Sequence, residues 1–175
     1  TAVGVIESSH VRVMRVADNM RNVAVTDGDK VEAQIKFGWE VDAYPVNEIA
    51  EAVEAVSESD VNALVDEYYD KYDILLEGRD PAEFRKHVAV QAQIELGFER
   101  FLDEKNYQAI VTHFGDLGSL KQLPGLAIQR LMQKGYGFGA EGDWKTAAMV
   151  RIMKIMTEGM KDAKGTSMLE DYTYN

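Results

Sequence analysis

YQAIVTHF, residues 107–114, is the segment from which the fold class of this chain follows most directly. It is a short and nearly continuous apolar run, which is typical of a strand buried on both faces of a parallel sheet. Long segments with helical periodicity lie on either side of it along the chain. Because strands that alternate with helices build layered sheets, this order predicts an α/β fold with a largely parallel sheet.

The helices on both sides of this strand have recognisable start and stop signals. Before it, Asp80 is a predicted N-cap, Pro81 occupies the first helical position and Glu83 completes a capping box. The later turns of that helix carry an apolar face formed by Ile94, Phe98, Phe101 and Leu102. After the strand, a second helix is predicted from near Pro124 to Gly135.

The first half of the chain shows other periodicities. Residues 11–20, VRVMRVADNM, alternate and then turn polar, which predicts a strand that runs into a loop. Residues 31–46, VEAQIKFGWEVDAYPV, also alternate, so we predict one strand or two strands around a bend at Gly38. Asn47 is the expected N-cap of the next helix, and Ser59 that of the helix after it. The apolar face of this later helix comprises Val61, Leu64, Val65, Tyr68 and Tyr72.

The end of the chain contains a predicted domain boundary. The segment KDAKGTS, residues 161–167, is polar and contains a glycine, as connecting segments often do. We therefore predict a central α/β domain at residues 1–162 and the truncated start of a following domain at residues 163–175. Since the chain begins at Thr1 and stops without a tail at Asn175, we expect it to be part of a longer polypeptide.

Composition argues against several classes of protein. The formal net charge of -11 and the lack of a basic cluster argue against nucleic-acid binding. No apolar run approaches the roughly 18 residues of a membrane span, and no signal peptide is visible. The chain has no cysteine, which excludes disulfides and thiolate metal sites and fits a cytoplasmic protein. Its many carboxylates are available to hold hard cations.

A glycine-rich loop, GYGFGAEGDWKTA at residues 135–147, is the first candidate site. Its glycines match G-x-G-x-x-G, but a helix is predicted before it instead of a strand, and the charge of Glu141 would repel a pyrophosphate. A Walker loop also fails, because Lys145 does not follow Gly142 directly. Two interpretations remain. The loop is a structural turn between helices, with Asp143 as the N-cap of the second, or it leaves Glu141 free to reach a metal or a substrate.

A second acidic loop lies near the end of the chain. GTSMLEDYTYN, residues 165–175, places Glu170 beside Asp171. Two loops that each present a carboxylate can together build a site for a hard cation. Two unrelated surface acids are the alternative, and the residues alone leave both interpretations open.

Three further features receive mainly structural interpretations. The first is a predicted helical face formed by Met149, Ile152, Met153, Met156 and Met160. Such a stripe favours core packing. His87 lies in a charged helix, and His113, at a strand end, is expected to be packed or at the solvent edge rather than functional. Trp144 either walls a sugar pocket or fixes the start of its helix.

Several motifs together resemble one enzyme family. They are GYGFGAEGDWKTAAMVRIMK at 135–154, GTSMLEDYTYN at 165–175, ADNMRNVAVTDGDKVEAQIKFG at 17–38 and LKQLPGLAIQRLM at 120–132. The whole chain is similar, in order, to L-arabinose isomerase. The similarity covers about the middle third of the family's protein and the opening of its last domain. It implies a Rossmann-like, largely parallel sheet flanked by helices, with the first residues of a following domain.

The resemblance also implies an activity. The family interconverts L-arabinose and L-ribulose in arabinose catabolism, and commonly D-galactose and D-tagatose, through a cis-enediol. It uses a divalent metal, usually Mn²⁺, with Co²⁺ or Mg²⁺ as alternatives. The full-length enzyme is a cytoplasmic homohexamer built from two trimers. The expected partner is a small aldose or ketose sugar, with no nucleic acid and no membrane.

Four residues match functional positions of that family. Glu141 and Glu170 match its two glutamate metal ligands, which are also its catalytic acid/base candidates. A carboxylate beside a metal can take the proton that moves between C1 and C2 of the sugar. We expect Glu141 to be this base, although the residues do not assign base and acid. Met20 and Phe114 match substrate-binding residues that lie near the sugar.

The family's two histidine ligands have no match among His10, His87 and His113. We therefore expect the chain alone to have little or no isomerase activity. One alternative is a non-catalytic α/β ligand-binding or assembly domain. A dinucleotide-dependent oxidoreductase, suggested by the glycine pattern, is the less favoured alternative.

Overall fold

Four short strands alternate with helices in the part of the chain that the computed structural model describes, residues 2–161 and 166–168. The strands are β1 (Arg12–Val16), β2 (Glu40–Tyr44), β3 (Ala109–Val111) and β4 (Gly137–Gly139). The helices are α1 (Ala2–Ser8), α2 (Lys30–Phe37), α3 (Val46–Glu54), α4 (Glu58–Lys71), α5 (Pro81–Glu104), α6 (Gly125–Lys134) and α7 (Trp144–Thr157). No helix within these residues has the length and apolar composition needed to cross a membrane.

The strands form one parallel sheet in the order β2-β1-β3-β4. Val13 of β1 is the Cα partner of Val41 in β2 and of Ala109 in β3. The chain therefore adds β2 on one side of β1 and then crosses to add β3 on the other. In folds of this kind, ligands bind in a crevice at the carboxyl ends of the strands where the direction of winding changes. The predicted α/β class and Rossmann-like parallel sheet are confirmed.

The central strands bury side chains on both faces, as the apolar run at residues 107–114 predicts. In β1, Met14 and Val16 join the core formed with α3, α5 and α6, whereas Val13 joins the core formed with α2 and α7. β3 alternates in the same way, and all three of its residues are buried. The helices therefore cover both faces of the sheet, which explains why β3 is apolar throughout.

The strand predicted at residues 31–37 is wrong, because this segment is helix α2. Asp29 caps its start, because its side chain accepts the backbone N–H of Glu32 at 2.8 Å. Gly38 ends it in the left-handed conformation, with φ of 77°. The apolar alternation misleads because Ala33 is buried against the sheet while Ile35 is 80% exposed. The second strand of the predicted pair is confirmed as β2.

Two predicted N-caps are each displaced by two residues. Helix α3 already begins at Val46, so Asn47 lies inside it, and no side chain caps it. Ser57, rather than Ser59, caps α4 by accepting the backbone N–H of Asp60 at 3.2 Å. Both helices exist as predicted, and the errors concern boundaries where several polar residues can each serve as a cap.

The signals at α5 and α6 are mostly confirmed. Asp80 accepts two backbone hydrogen bonds from the first turn of α5, at 3.0 and 2.9 Å, and Pro81 opens the helix. The capping box is not formed, because the side chain of Glu83 pairs with Lys86 at 2.6 Å. Gly135 ends α6 in the left-handed conformation, with φ of 108°.

The predicted methionine stripe is not core, contrary to the sequence prediction, and Met160 lies beyond the end of α7. Met149, Met153, Met156 and Met160 are 47%, 40%, 38% and 60% exposed. Of the predicted face, Ile152 is buried. The helix turns Trp144, Ala147 and Ala148 toward the sheet instead. The alanines let α7 approach the sheet closely. The longer methionine side chains lie on the other side of the helix, where they are partly exposed.

The sequence does not predict strand β4, whose glycines are explained by contact with α7. A Cβ atom on Gly137 would lie 2.1 Å from the carbonyl oxygen of Ala147. One on Gly139 would lie 2.1 Å from the carbonyl oxygen of Asp143. Both distances are far below van der Waals contact, so only glycine permits this approach. The glycine-rich loop is therefore part of the sheet rather than a plain turn between helices.

We expect Gly137→Ala to lower the free energy of unfolding of this chain by about 1–3 kcal/mol, because the added methyl group overpacks the contact between β4 and α7. Urea unfolding measures the change. Gly125→Ala is the matched control, since a Cβ atom there meets nothing within 4 Å and alanine favours a helix. Equal stabilities of the two variants would contradict the packing argument.

Candidate functional site

Three loops meet at the carboxyl edge of the sheet. They follow β1, β3 and β4, and backbone hydrogen bonds join them. The N–H of Met20 donates to the carbonyl oxygen of Glu141 at 2.9 Å, and the N–H of Gly142 donates to that of Thr112 at 3.2 Å. The structure therefore brings together Met20 and Glu141, two of the residues predicted from the sequence.

The backbone at Glu141 has an uncommon conformation. Its φ is 55°, and that of Gly142 is 82°, so two successive residues are left-handed. A Cβ atom on Gly142 would lie 2.3 Å from the Cα atom of Asn19, which explains the glycine. A left-handed residue other than glycine costs roughly 1–3 kcal/mol and often marks a functional site. The hydrogen bond from Met20 and the close packing of Gly142 on Asn19 hold the Glu141 loop in this conformation against the loop that follows β1.

The side chains of the two neighbouring acids have different surroundings. Asp143 accepts the backbone N–H groups of Lys145 and Thr146 at 3.0 and 3.1 Å, as the predicted N-cap of α7. No donor among residues 2–161 and 166–168 binds the carboxylate of Glu141, which is partly exposed. Glu141 is therefore available to a ligand, whereas Asp143 is committed to the helix.

The loop after β1 is tied to the first turn of α7. The ammonium group of Lys145 donates to the carbonyl oxygen of Val25 at 2.8 Å and also to that of Asp27. Arg15, which is only 6% exposed, pairs with Asp18 at 2.9 Å and lies 3.7 Å from Asp27. These contacts fix both ends of the loop that carries Met20.

Asp27 remains charged in this arrangement. The backbone N–H of Gly28 donates to its carboxylate at 2.8 Å and, together with nearby Arg15, lowers the pKa of Asp27 below its usual range, although burial acts in the opposite direction. Sequence reasoning missed these anchoring residues. An arginine within an apolar, alternating strand was the available signal, because such a charge needs a partner when it is buried.

Trp144 fixes the start of α7. It is 2% exposed and packs edge-to-face against Trp39, with ring centroids 6.5 Å apart. Of the two interpretations that the sequence allows, the structure supports the structural one. Trp144 also packs beside Gly28, so it contacts the loop that follows β1 and helps to fix its position.

Phe114 and His113 belong to the loop after β3, at the same edge of the sheet. Phe114 is 51% exposed, which leaves its ring free to contact a ligand. The Nδ1 atom of His113 accepts the backbone N–H of Gly115 at 3.1 Å, so His113 closes the turn. The structure therefore places Phe114 at the same edge as Glu141, and its contact with a sugar stays a prediction.

Glu170 and Asp171 lie outside the described residues, so the pairing of Glu141 with Glu170 stays a prediction. Among residues 2–161 and 166–168, no three His, Cys, Asp or Glu side chains are grouped closely enough to hold a metal. A single partly exposed carboxylate without an internal donor nonetheless fits one position in the ligand set of a hard divalent cation. Glu141 provides such a ligand.

The glycine pattern does not form a dinucleotide site. As the sequence predicts, a helix, α6, ends directly before the pattern, and the glycines themselves form strand β4 instead of following a strand. In a dinucleotide fold the glycines let the backbone approach a pyrophosphate. Here Gly137 and Gly139 are closed off by the carbonyl oxygens of α7 itself. The pattern therefore reflects packing of a strand on a helix.

The fold and the site define a doubly wound α/β domain with an available carboxylate at the carboxyl edge of its parallel sheet. The sequence model of the L-arabinose isomerase central domain matches residues 12–159. The chain is 54% identical over 175 residues to L-arabinose isomerase from Geobacillus thermodenitrificans. It is 53% identical over 174 residues to L-arabinose isomerase from Escherichia fergusonii. The chain belongs to the L-arabinose isomerase family, as its central domain.

These relatives are longer than the chain. The matches cover 100% and 99% of the chain but 34% of each relative, so the chain spans about a third of their length. The resemblance inferred from the sequence motifs is confirmed.

Proposed function

We propose that this chain is the central domain of an enzyme that converts L-arabinose to L-ribulose. The observation that supports this best is the presentation of Glu141, on a strained loop beside Met20, in a chain that is 54% identical to an L-arabinose isomerase over its whole length. D-galactose, which the enzyme would convert to D-tagatose, is the second substrate that we propose.

In the proposed reaction, Glu141 is the base. Its carboxylate takes the proton from C2 of the open-chain aldose, the C1–C2 enediol forms, and the same carboxylate returns the proton to C1. Glu170 is the proposed acid that exchanges a proton with the sugar oxygens. Together these steps conserve all atoms and change only the position of the carbonyl group.

We further propose that Glu141 and Glu170 contribute two ligands to a divalent metal, with Mn²⁺ favoured over Co²⁺ and Mg²⁺ because carboxylate and imidazole ligands suit manganese. When bound, the metal supplies electrostatic stabilisation to the sugar oxygens as negative charge develops on them. The chain's own contribution is to hold the Glu141 carboxylate at the edge of the sheet, through the hydrogen bond from Met20 and the packing of Gly142.

Met20 and Phe114 are proposed to bind the sugar through its C–H groups. Both belong to loops at the carboxyl edge, and Phe114 is half exposed there. An apolar side chain beside the reacting carbons also limits access of water to the enediol. In the proposed cytoplasmic hexamer, the histidine ligands come from outside this chain.

We expect chelation of the full-length enzyme by EDTA to lower arabinose isomerisation by about two orders of magnitude, because the enediolate loses its electrostatic partner. L-ribulose formation is measured before chelation, after it, and after separate addition of Mn²⁺, Co²⁺ and Mg²⁺. Recovery with Mn²⁺ supports the proposed metal. Undiminished activity in metal-free enzyme, checked by elemental analysis, would contradict it.

A separate assay of residues 1–175 tests whether the chain is a partial enzyme. We expect little or no turnover. His10 and His87 lie outside the carboxyl-edge loops, next to α1 and within α5, and Nδ1 of His113 is occupied by the backbone N–H of Gly115. Robust manganese-dependent turnover by this chain would overturn the proposal that the site is shared with other segments.

A further inference from the structure

The structure points to His113 as a residue that binds the sugar and helps to determine which sugar is accepted: we propose that its Nε2–H group donates a hydrogen bond to a sugar hydroxyl. This inference rests on the proposed function. It differs from the expectation drawn from the sequence, in which His113 has only a structural role.

The first argument is position. The paired part of β3 and β4 ends at Val111 and Gly139. Beyond these residues, the carbonyl oxygen of Thr112 accepts the N–H of Gly142 at 3.2 Å, so the two segments that follow the strands remain side by side. His113 directly follows Thr112, and Glu141 directly precedes Gly142. His113 therefore lies at the strand end next to that of the proposed base.

The second argument is the state of the imidazole ring. Because Nδ1 accepts the backbone N–H of Gly115 at 3.1 Å, the neutral ring carries its proton on Nε2. A Cβ atom on Gly115 would lie 3.2 Å from both Nδ1 and Cε1, so the ring packs directly on the turn. Nε2 is then a donor in a ring whose orientation is already fixed.

The third argument is that this donor is unused. Within the described part of the chain, no oxygen or nitrogen atom accepts a hydrogen bond from Nε2 of His113. The residue is only partly exposed and is followed directly by half-exposed Phe114. A fixed N–H donor beside an aromatic ring matches a sugar, which offers hydroxyl oxygens and C–H faces together. Sites that hydrogen-bond a substrate hydroxyl discriminate strongly against molecules that lack it.

Two substitutions in the full-length enzyme separate sugar binding from turn closure. In His113→Asn, the side-chain oxygen can still accept the N–H of Gly115, but the donor at the Nε2 position is lost. In His113→Gln, an amide N–H can reach the Nε2 position, while the acceptor for Gly115 is displaced. A sugar-binding role predicts that Asn is the impaired variant. A purely structural role predicts that Gln is.

We expect His113→Asn to lower kcat/KM for L-arabinose about three- to tenfold, as for loss of one neutral hydrogen bond, mainly through KM. We expect His113→Gln to stay within about twofold of the unchanged enzyme. The ratio of kcat/KM for L-arabinose to that for D-galactose should also change in His113→Asn, because the two sugars present different hydroxyl groups. His87→Asn, at an exposed position of α5, is the control and should change nothing.

Binding of L-arabitol, measured by calorimetry, gives a readout that is independent of turnover. This sugar alcohol keeps the hydroxyl groups but has no carbonyl to isomerise, and its Kd should rise in His113→Asn by a factor similar to that in kcat/KM. Unchanged KM, Kd and sugar ratio in His113→Asn, with an active unchanged enzyme, would overturn the role of His113 alone. An unchanged full-length enzyme that converts no arabinose would instead overturn the proposed function.

Discussion

Glu141→Gln in the full-length enzyme is expected to lower kcat/KM for L-arabinose by about 10²–10⁴-fold, the range attributed to a positioned acid or base. Glutamine has the same shape but cannot accept the proton from C2, and it is a poorer ligand for a hard cation. The fold should persist, because the hydrogen bond from Met20 goes to the main-chain oxygen of residue 141 and not to its side chain. L-ribulose formation and the thermal midpoint are measured together.

Glu77→Gln is the matched control for this experiment. Glu77 is also a left-handed glutamate, with φ of 51° against 55° for Glu141, and it is exposed in a loop. Both substitutions therefore make the same chemical change on the same backbone conformation, but Glu77 lies outside the site. We expect normal activity in Glu77→Gln. Normal activity in Glu141→Gln, at an unchanged thermal midpoint, would remove Glu141 from the proposed mechanism.

The sequence predicts those elements whose residues carry local signals. The run at 107–114 is recognisable because a strand buried on both faces is apolar throughout. The start of α5 is recognisable because Asp80 and Pro81 act within their own turn. Strand β4 has no such signal: two of its three residues are glycines, which disfavour strands. They are required by the closeness of Ala147 and its neighbours in α7, a tertiary contact that the sequence does not reveal.

The same division applies to the candidate site. The glycines around Glu141 indicate a loop, and the motif resemblance singles out its carboxylate. The contact between Met20 and Glu141 depends on the strand order, because β1 and β4 are separated by β3 in the sheet. No local pattern encodes that order. The contacts of Lys145 with the loop after β1 depend on the same strand order, so the sequence did not predict them either.

A buried ionic network involves none of the three loops at this edge, and the sequence analysis does not predict it. Glu95 of α5 is fully buried. Its carboxylate accepts hydrogen bonds from the Tyr68 hydroxyl at 2.6 Å and from Nε of Arg130 at 2.7 Å, and it lies 2.9 Å from the ammonium group of Lys134. Arg130 also pairs with Glu67 at 2.7 Å. The network joins α4, α5 and α6.

Two members of this network have shifted pKa values. Burial and the hydrogen bond to Glu95 raise the pKa of the Tyr68 hydroxyl above its usual range, so it stays a donor. The hydrogen bond from Arg130 lowers the pKa of Glu67, against the opposing effect of burial. A carboxyl group with a lowered pKa stabilises the fold above its unfolded-state pKa. That contribution is lost as the pH falls through the lowered pKa, so acid weakens the ion pair between Glu67 and Arg130.

Glu95→Gln is expected to lower the free energy of unfolding of this chain by roughly 3–5 kcal/mol, because loss of the buried carboxylate leaves Arg130 with only its half-exposed partner, Glu67. Arg130 is 4% exposed and cannot turn to water. Glu67→Gln is the matched control: it removes another carboxylate from the same arginine, but this side chain is 51% exposed. Its cost should be about 1 kcal/mol or less, as for surface pairs.

A double substitution separates charge from packing at this position. Glu95→Leu alone leaves Arg130 without its buried partner, whereas Glu95→Leu combined with Arg130→Met removes both charges and keeps apolar volume. Replacing a buried ion pair with apolar residues is often neutral or stabilising. The double variant should therefore be more stable than Glu95→Leu in urea unfolding. If it is less stable, or if Glu95→Gln costs no more than Glu67→Gln, the stability of this region comes from packing of Tyr68 and the surrounding helices and not from compensation of the buried charge.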